Sequence, residues 1–85
     1  MTDKILKFSA PWCQPCKQLA KALENYKGVP IEDVNIDDAA DLAAEYMVRS
    51  VPTLVYERDG KEVSRKIGAI SKDAFSLWVQ QQQAS

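Results

Sequence analysis

Lys4-Ile5-Leu6-Lys7-Phe8 followed by Ala10-Pro11-Trp12-Cys13-Gln14-Pro15-Cys16-Lys17 is the stretch that decides how this chain folds. The first five residues read as a short strand that ends at the Pro11 turn. A helix is predicted from about Gln14 to Tyr26. Its apolar face carries Cys16, Leu19, Ala20, Leu23 and Tyr26, and its wet face Lys17, Gln18, Lys21 and Glu24. Pro15 falls in the first turn, where its missing N–H costs nothing, and Gly28 is placed to close the far end. This puts Cys13 at the N-cap and Cys16 in the first turn.

Outward from that helix, residues 31–36 read as a second strand, and Asp37 or Asp38 is expected to cap a short helix with apolar positions Ala39, Leu42, Ala43 and Tyr46. Thr53-Leu54-Val55-Tyr56 and residues 62–67 read as strands joined through Asp59-Gly60, a strong hairpin signal. Ser71 caps a last helix with Ala74, Phe75 and Trp78 facing inward, and Gln80–Gln83 is expected to fray. The order is β-α-β-α-β-β-α. It implies an α/β fold with a four-stranded mixed sheet, its first two strands parallel through a right-handed crossover and helices covering both faces.

Composition narrows the function. At 85 residues the chain is expected to form one domain over residues 1–85. A domain of this size buries only somewhat more than ~60% of its unfolded surface, and 46% apolar residues suffice for one modest core. A formal net charge of −1, with Lys and Arg scattered, gives no basic field for nucleic acid or a membrane surface. No apolar run is long enough to span a bilayer. The first residues read as a strand and not as an export signal. A cytoplasmic, reducing setting is therefore expected, in which a cysteine pair is catalytic and not structural. A monomer is expected.

The chain has two cysteines and no histidine. A structural disulfide closing so short a loop stabilises little, because loop-closure entropy grows with loop size. A zinc site needs about four ligands, so no metal is expected. Covalent haem attachment wants a histidine after Cys16, where Lys17 stands. Thiol–disulfide exchange remains, and no bound cofactor is expected beyond a redox-active Cys13–Cys16 disulfide. Unpaired N–H groups at the helix start favour a Cys13 thiolate. Cys13, read as the more exposed thiol, attacks a substrate disulfide. Cys16, on the inward face, resolves the mixed disulfide. Pro15 stiffens the loop between them, and Trp12 is read as a flat exposed contact surface, whereas Trp78 is read as core.

Trp12-Cys13-Gln14-Pro15-Cys16-Lys17, the block Tyr46-Met47-Val48-Arg49-Ser50-Val51-Pro52-Thr53, Asp59-Gly60 and Ile67-Gly68-Ala69 together resemble the thioredoxin family in order and spacing. The resemblance implies a protein-disulfide reductase. It implies a cis Val51–Pro52 bond opposite the thiols and a substrate groove lined by Val51, Pro52, Gly68 and Ala69. It also implies disulfide-containing protein substrates, with ribonucleotide reductase the family-based expectation, and recycling by a thioredoxin reductase or similar flavin- and NADPH-linked donor. Two other readings are a glutaredoxin-like protein recycled by glutathione, which the short chain favours, and a binding or scaffold subunit. Trp12 and the single Gly68 followed by Ala69 fit thioredoxins better than glutaredoxins.

Three departures from the family pattern stand out. The chain starts at the strand leading into the cysteines, so the family's first strand and helix are expected to be missing. Gln14 stands where glycine is usual. Lys7 stands where the family keeps a buried aspartate, and Asp33 where it often has a lysine. The expectation is an inverted ion pair beneath Cys16 that tunes the thiols, together with Pro15 and Gln14. The competing picture has Lys7 reaching solvent past a truncated edge while Asp33 stays exposed.

Overall fold

In a computed structural model, which describes residues 2–84, the chain runs β1 (Asp3–Ser9), α1 (Gln14–Leu23), β2 (Ile31–Asn35), α2 (Ala40–Glu45), β3 (Thr53–Arg58), β4 (Lys61–Ile67) and α3 (Lys72–Ala84). The four strands form one sheet in the order β2-β1-β3-β4. β1 and β2 are parallel, while β1–β3 and β3–β4 are antiparallel. This is the expected mixed sheet.

Strand alternation splits the core in two. Ile5 joins Leu54 and Tyr56 beneath Leu19 and Leu23 of α1 and Phe75, Trp78 and Val79 of α3. Leu6, Phe8 and Val55 face the other way, toward Ala43, Leu42 and Tyr46. The sheet is thus covered on both faces, by α1 and α3 on one and α2 on the other. β3 lies between two strands and under both helical layers, so Thr53 to Glu57 are all buried. Its two polar members are satisfied: Thr53 Oγ1 donates to the Ser50 carbonyl at 2.7 Å, and Glu57 accepts from the Tyr46 hydroxyl.

The hairpin forms where expected, with Asp59 and Gly60 both in the left-handed region at φ 55° and 83°. Those paired positive values match the strand twist. A bulge opposite Glu57 leaves Val63 out of register.

Four local expectations are corrected. α1 ends at Leu23, three residues early, and Gly28 does not cap it. Tyr26 instead folds back so that its hydroxyl accepts from Val29 N at 2.8 Å, and any Cβ on Gly28 would collide with that ring. Neither Asp37 nor Asp38 caps α2; its N-cap is Ala39, with no side-chain hydrogen bond. Ala20 and Ala74 are exposed, being too small to reach the layers that Leu19 and Phe75 fill. Gln80–Gln83 lies inside α3, whose last turn is held by Arg58 Nη2 donating to the Gln82 carbonyl at 2.8 Å. Ser71 does cap α3, its Oγ accepting from Ala74 N at 3.1 Å.

Candidate active site

The turn after β1 delivers Cys13 in extended conformation (φ −94°, ψ 111°) directly to the start of α1, making it the N-cap. Its sulfur accepts a hydrogen bond from Cys16 N at 3.1 Å. The geometry points one of the helix's unpaired N–H groups at Cys13, where a negative charge is favoured. Cys13 and Cys16 form a disulfide with their Cα atoms 5.3 Å apart. Pro15 sits in the first turn between them, and Gln14 projects into solvent.

Cys13 is not the more exposed of the pair. The two are 4% and 5% exposed, because Ala10, Ile36 and Val51 close around the disulfide. Trp12, by contrast, is 65% exposed, as its place on the turn suggests. Its indole Nε1 donates to Asp37 Oδ2 at 3.2 Å, so the aspartate read as a helix cap instead holds the tryptophan.

The loop before β3 comes back to the thiols. The Val51–Pro52 bond is cis, and the Val51 carbonyl oxygen lies 3.6 Å from Cys13 Sγ. Gly68 N donates to the Pro52 carbonyl at 2.8 Å, which brings the end of β4 to the same place. Gly68 has φ 94°, a conformation that a side chain resists, and the space above it is open. Ala69 follows, exposed. Trp12, Cys13, Cys16, Val51, Pro52 and Gly68 are thus assembled from three separate segments.

Beside the disulfide lies a hollow of about 280 Å³ lined by Trp12, Ile36, Val48, Arg49, Ser50 and Val51. Ile36, Val48, Arg49 and Ser50 were not singled out as site residues from sequence. Arg49 and Ser50 carry no motif of their own, and only their position ahead of Val51-Pro52 hinted at them.

Lys7 and Asp33 are register partners on β1 and β2, and their side chains pair, Nζ to Oδ1, at 2.9 Å. Lys7 is mostly buried at 13% exposure, whereas Asp33 is 72% exposed. The two residues do pair, but the pair is buried only at its lysine end. β2 is an edge strand, so water reaches the carboxylate. The lysine lines a hollow of about 390 Å³ with Ala20 and Leu23, which lie one and two turns along α1 from Cys16.

Ionisations displaced from their usual range sit away from the thiols. The hydrogen bond from Arg58, and a second from Tyr56, hold Asp3 below the ordinary carboxylate value. Tyr46 is pushed up to about 12 by its hydrogen bond to Glu57 and by burial, and Tyr56 to about 12 by burial and its bond to Asp3. Arg65 lowers Glu62 by hydrogen bonding. Among the described residues no cluster of His, Cys, Asp or Glu is arranged to hold a metal, and no helix is long and apolar enough to cross a membrane.

The family model for thioredoxin matches residues 1–81. The chain belongs to the thioredoxin family. It is 42% identical over 81 residues to a thioredoxin of Chlamydia caviae, a match covering 91% of this chain and 79% of that one. Against a thioredoxin of Haemophilus influenzae it is 37% identical over 82 residues, covering 91% and 77%. Among solved structures, a mutant thioredoxin from Halobacterium salinarum superposes with a TM-score of 0.87 at 30% identity, over 94% of this chain and 74% of that one. Thioredoxin NaTrxh from Nicotiana alata gives 0.84 at 30% identity, over 94% and 72%. As a member of this thioredoxin family, the chain is a thiol–disulfide oxidoreductase that reduces protein disulfides, and Cys13–Cys16 is its redox-active disulfide.

Proposed function

We propose that Cys13 is the attacking thiol and Cys16 the resolving one, in a single-domain, cytoplasmic electron carrier. The observation that carries this is the Cys16 N–H aimed at Cys13 Sγ at the start of α1. In the reduced protein that donor stabilises a Cys13 thiolate, raising its fraction at neutral pH. The thiolate attacks one sulfur of a substrate disulfide, forming the Cys13–substrate bond as the substrate S–S bond breaks. One substrate thiolate leaves and is protonated. Cys16, having lost its proton, then attacks Cys13 Sγ and expels the second substrate thiolate. Two electrons and two protons have passed to the substrate, and the Cys13–Cys16 disulfide seen here remains.

The substrate backbone beside the target disulfide docks along Val51, Pro52, Gly68 and Ala69, with Trp12 as the exposed apolar wall. Pro15 and Gln14 shape the loop between the thiols. The positive Lys7, held by Asp33 on the sheet beneath α1, favours the Cys16 thiolate. The disulfide is returned to the dithiol by a flavin- and NADPH-linked reductase acting in trans; ribonucleotide reductase is one candidate protein substrate.

Insulin reduction coupled to NADPH oxidation tests the reading. Turnover is expected with a thioredoxin reductase and not with glutathione and glutathione reductase; the reverse result would place the chain with glutaredoxins. Cys13→Ser should abolish turnover, and Cys16→Ser should trap a mixed disulfide visible by mass spectrometry. If the double Cys→Ser variant kept full biological function, the chain would be a binding subunit instead.

A further inference from the structure

The hollow beside the disulfide takes Val48, Arg49, Ser50 and Val51 from a segment between α2 and β3 that belongs to no helix or strand. Something must hold that segment in place. At its back, Thr53 Oγ1 donates to the Ser50 carbonyl at 2.7 Å. At its front, Met47 N and Val48 N donate to the Ala44 and Ala43 carbonyls at 3.0 and 2.9 Å, wrapping the end of α2. The residue from which the segment departs is Tyr46, and Tyr46 is gripped at both ends. Its hydroxyl donates to Glu57 on β3, and its carbonyl accepts from Arg65 Nη2 on β4 at 2.8 Å. Its ring lies against Phe8 with centroids 5.6 Å apart.

Both grips are themselves secured. Glu57 is 3% exposed, with Lys4 Nζ 4.0 Å from its free oxygen. Arg65 is held by two hydrogen bonds to Glu62, at 2.6 and 2.7 Å. A carboxylate in the middle of the sheet is costly to bury, and an apolar residue there would serve stability as well. The placement therefore points to geometry and not to stability alone. Glu57 pushes the Tyr46 phenol up to about 12, so the hydroxyl stays a donor well into the alkaline range.

We propose that Tyr46, clamped between Glu57 and Arg65, is a positioning residue for substrate docking: it sets the direction in which residues 47–49 leave α2, and so the place of Val48 and Arg49 opposite Trp12. The inference rests on the docking groove proposed above. The clamp acts on binding of a polypeptide disulfide and leaves the thiol chemistry alone, since neither grip touches the cysteines.

The test compares KM and kcat for insulin with the rate toward the small aromatic disulfide DTNB, which has no chain to dock. Tyr46→Phe and Arg65→Met should each raise KM for insulin about three- to tenfold, the worth of one hydrogen bond. The kcat, the Cys13–Cys16 midpoint potential and the DTNB rate should not change. Glu57→Gln, whose amide oxygen still accepts from the hydroxyl, should stay near wild type. Trp12→Ala separates the two readings. If it raises KM while Tyr46→Phe and Arg65→Met do not, the clamp is wrong and the groove stands; if it too has no effect, both fall. Parallel loss of insulin and DTNB rates would reduce Tyr46 to a structural residue and overturn the proposal. Should Tyr46→Phe fail to fold, Arg65→Met decides alone.

Discussion

The Lys7 ammonium is mostly buried while its partner carboxylate is not, at 13% and 72% side-chain exposure, and that asymmetry sets what each substitution does. Replacing Asp33 removes a solvated charge whose pairing is worth at most about 1 kcal/mol. Replacing Lys7 with an apolar residue of similar size removes a charge that burial disfavours, so stability should hold or rise. The two changes separate further in their effect on the thiols. On the role proposed for Lys7, Lys7→Met removes the charge that favours the Cys16 thiolate, so resolution of the mixed disulfide should shift to higher pH and slow several-fold at pH 7, up to about tenfold for one unit. Asp33→Asn leaves the charge uncompensated and should shift the same profile to lower pH. Stopped-flow resolution rates against pH, following Trp12 fluorescence, read both; coincident profiles would remove Lys7 from the mechanism. The pairing of Lys7 with Asp33 was legible only through the family resemblance, which singles out both positions; the facing register then lets the two side chains meet. The grip of Asp37 on Trp12 was not, since nothing local marks a hydrogen bond between residues 25 positions apart.

Among the elements, the strand order and two local signals were read correctly, whereas the Asp37 or Asp38 cap and the end of α1 were not. The Asp59-Gly60 hairpin and the Ser71 cap carry their own turn and capping chemistry. The end of α1 does not: its apolar spacing continues through Tyr26, but the ring turns back to satisfy Val29 N and the helix stops at Leu23. α2 ends by a rule that its sequence obscures. Met47 N and Val48 N bond back to Ala44 and Ala43 in the wrap usually completed by glycine, yet the left-handed residue, at φ 54°, is Met47. A non-glycine residue there costs on the order of 1 kcal/mol. Met47 is 71% exposed and loses little packing on truncation. Met47→Gly should therefore stabilise the protein by up to about 1 kcal/mol in urea denaturation. Gly28→Ala should do the opposite for a different reason: its Cβ would drive into the Tyr26 ring and break the bond to Val29, at a cost of about 1–3 kcal/mol. If Gly28→Ala were neutral, the ring would have to be free to move.

Across the whole molecule, one polar lock ties the start of β1 and the last turn of α3 to β3, at the opposite end of β1 from the cysteines. Asp3 on β1 receives Arg58 Nε and Nη2 at 3.0 Å each and the Tyr56 hydroxyl at 2.5 Å, while Arg58 also reaches the Gln82 carbonyl of α3. Thr2 and Asp59 exchange two further bonds at 2.8 and 2.7 Å. The lock makes stability depend on pH in two windows. Asp3, held below its ordinary 3.8 by Arg58 and Tyr56, binds its proton more weakly folded than unfolded. Its contribution is complete above that value and is lost as pH falls through the depressed one, with Glu62 adding to the same limb through Arg65. Tyr56 and Tyr46 behave oppositely. Raised from 10.0 to about 12, they contribute fully below 10 and lose that contribution as pH climbs toward 12. Thermal melts of the oxidised protein should show a plateau through neutral pH that falls away below about pH 4 and above about pH 10. Asp3→Asn should lower the plateau and flatten the acid limb, and Tyr56→Phe should flatten the alkaline limb while leaving the acid limb steep. An acid limb of unchanged steepness in Asp3→Asn would mean that other carboxylates carry it.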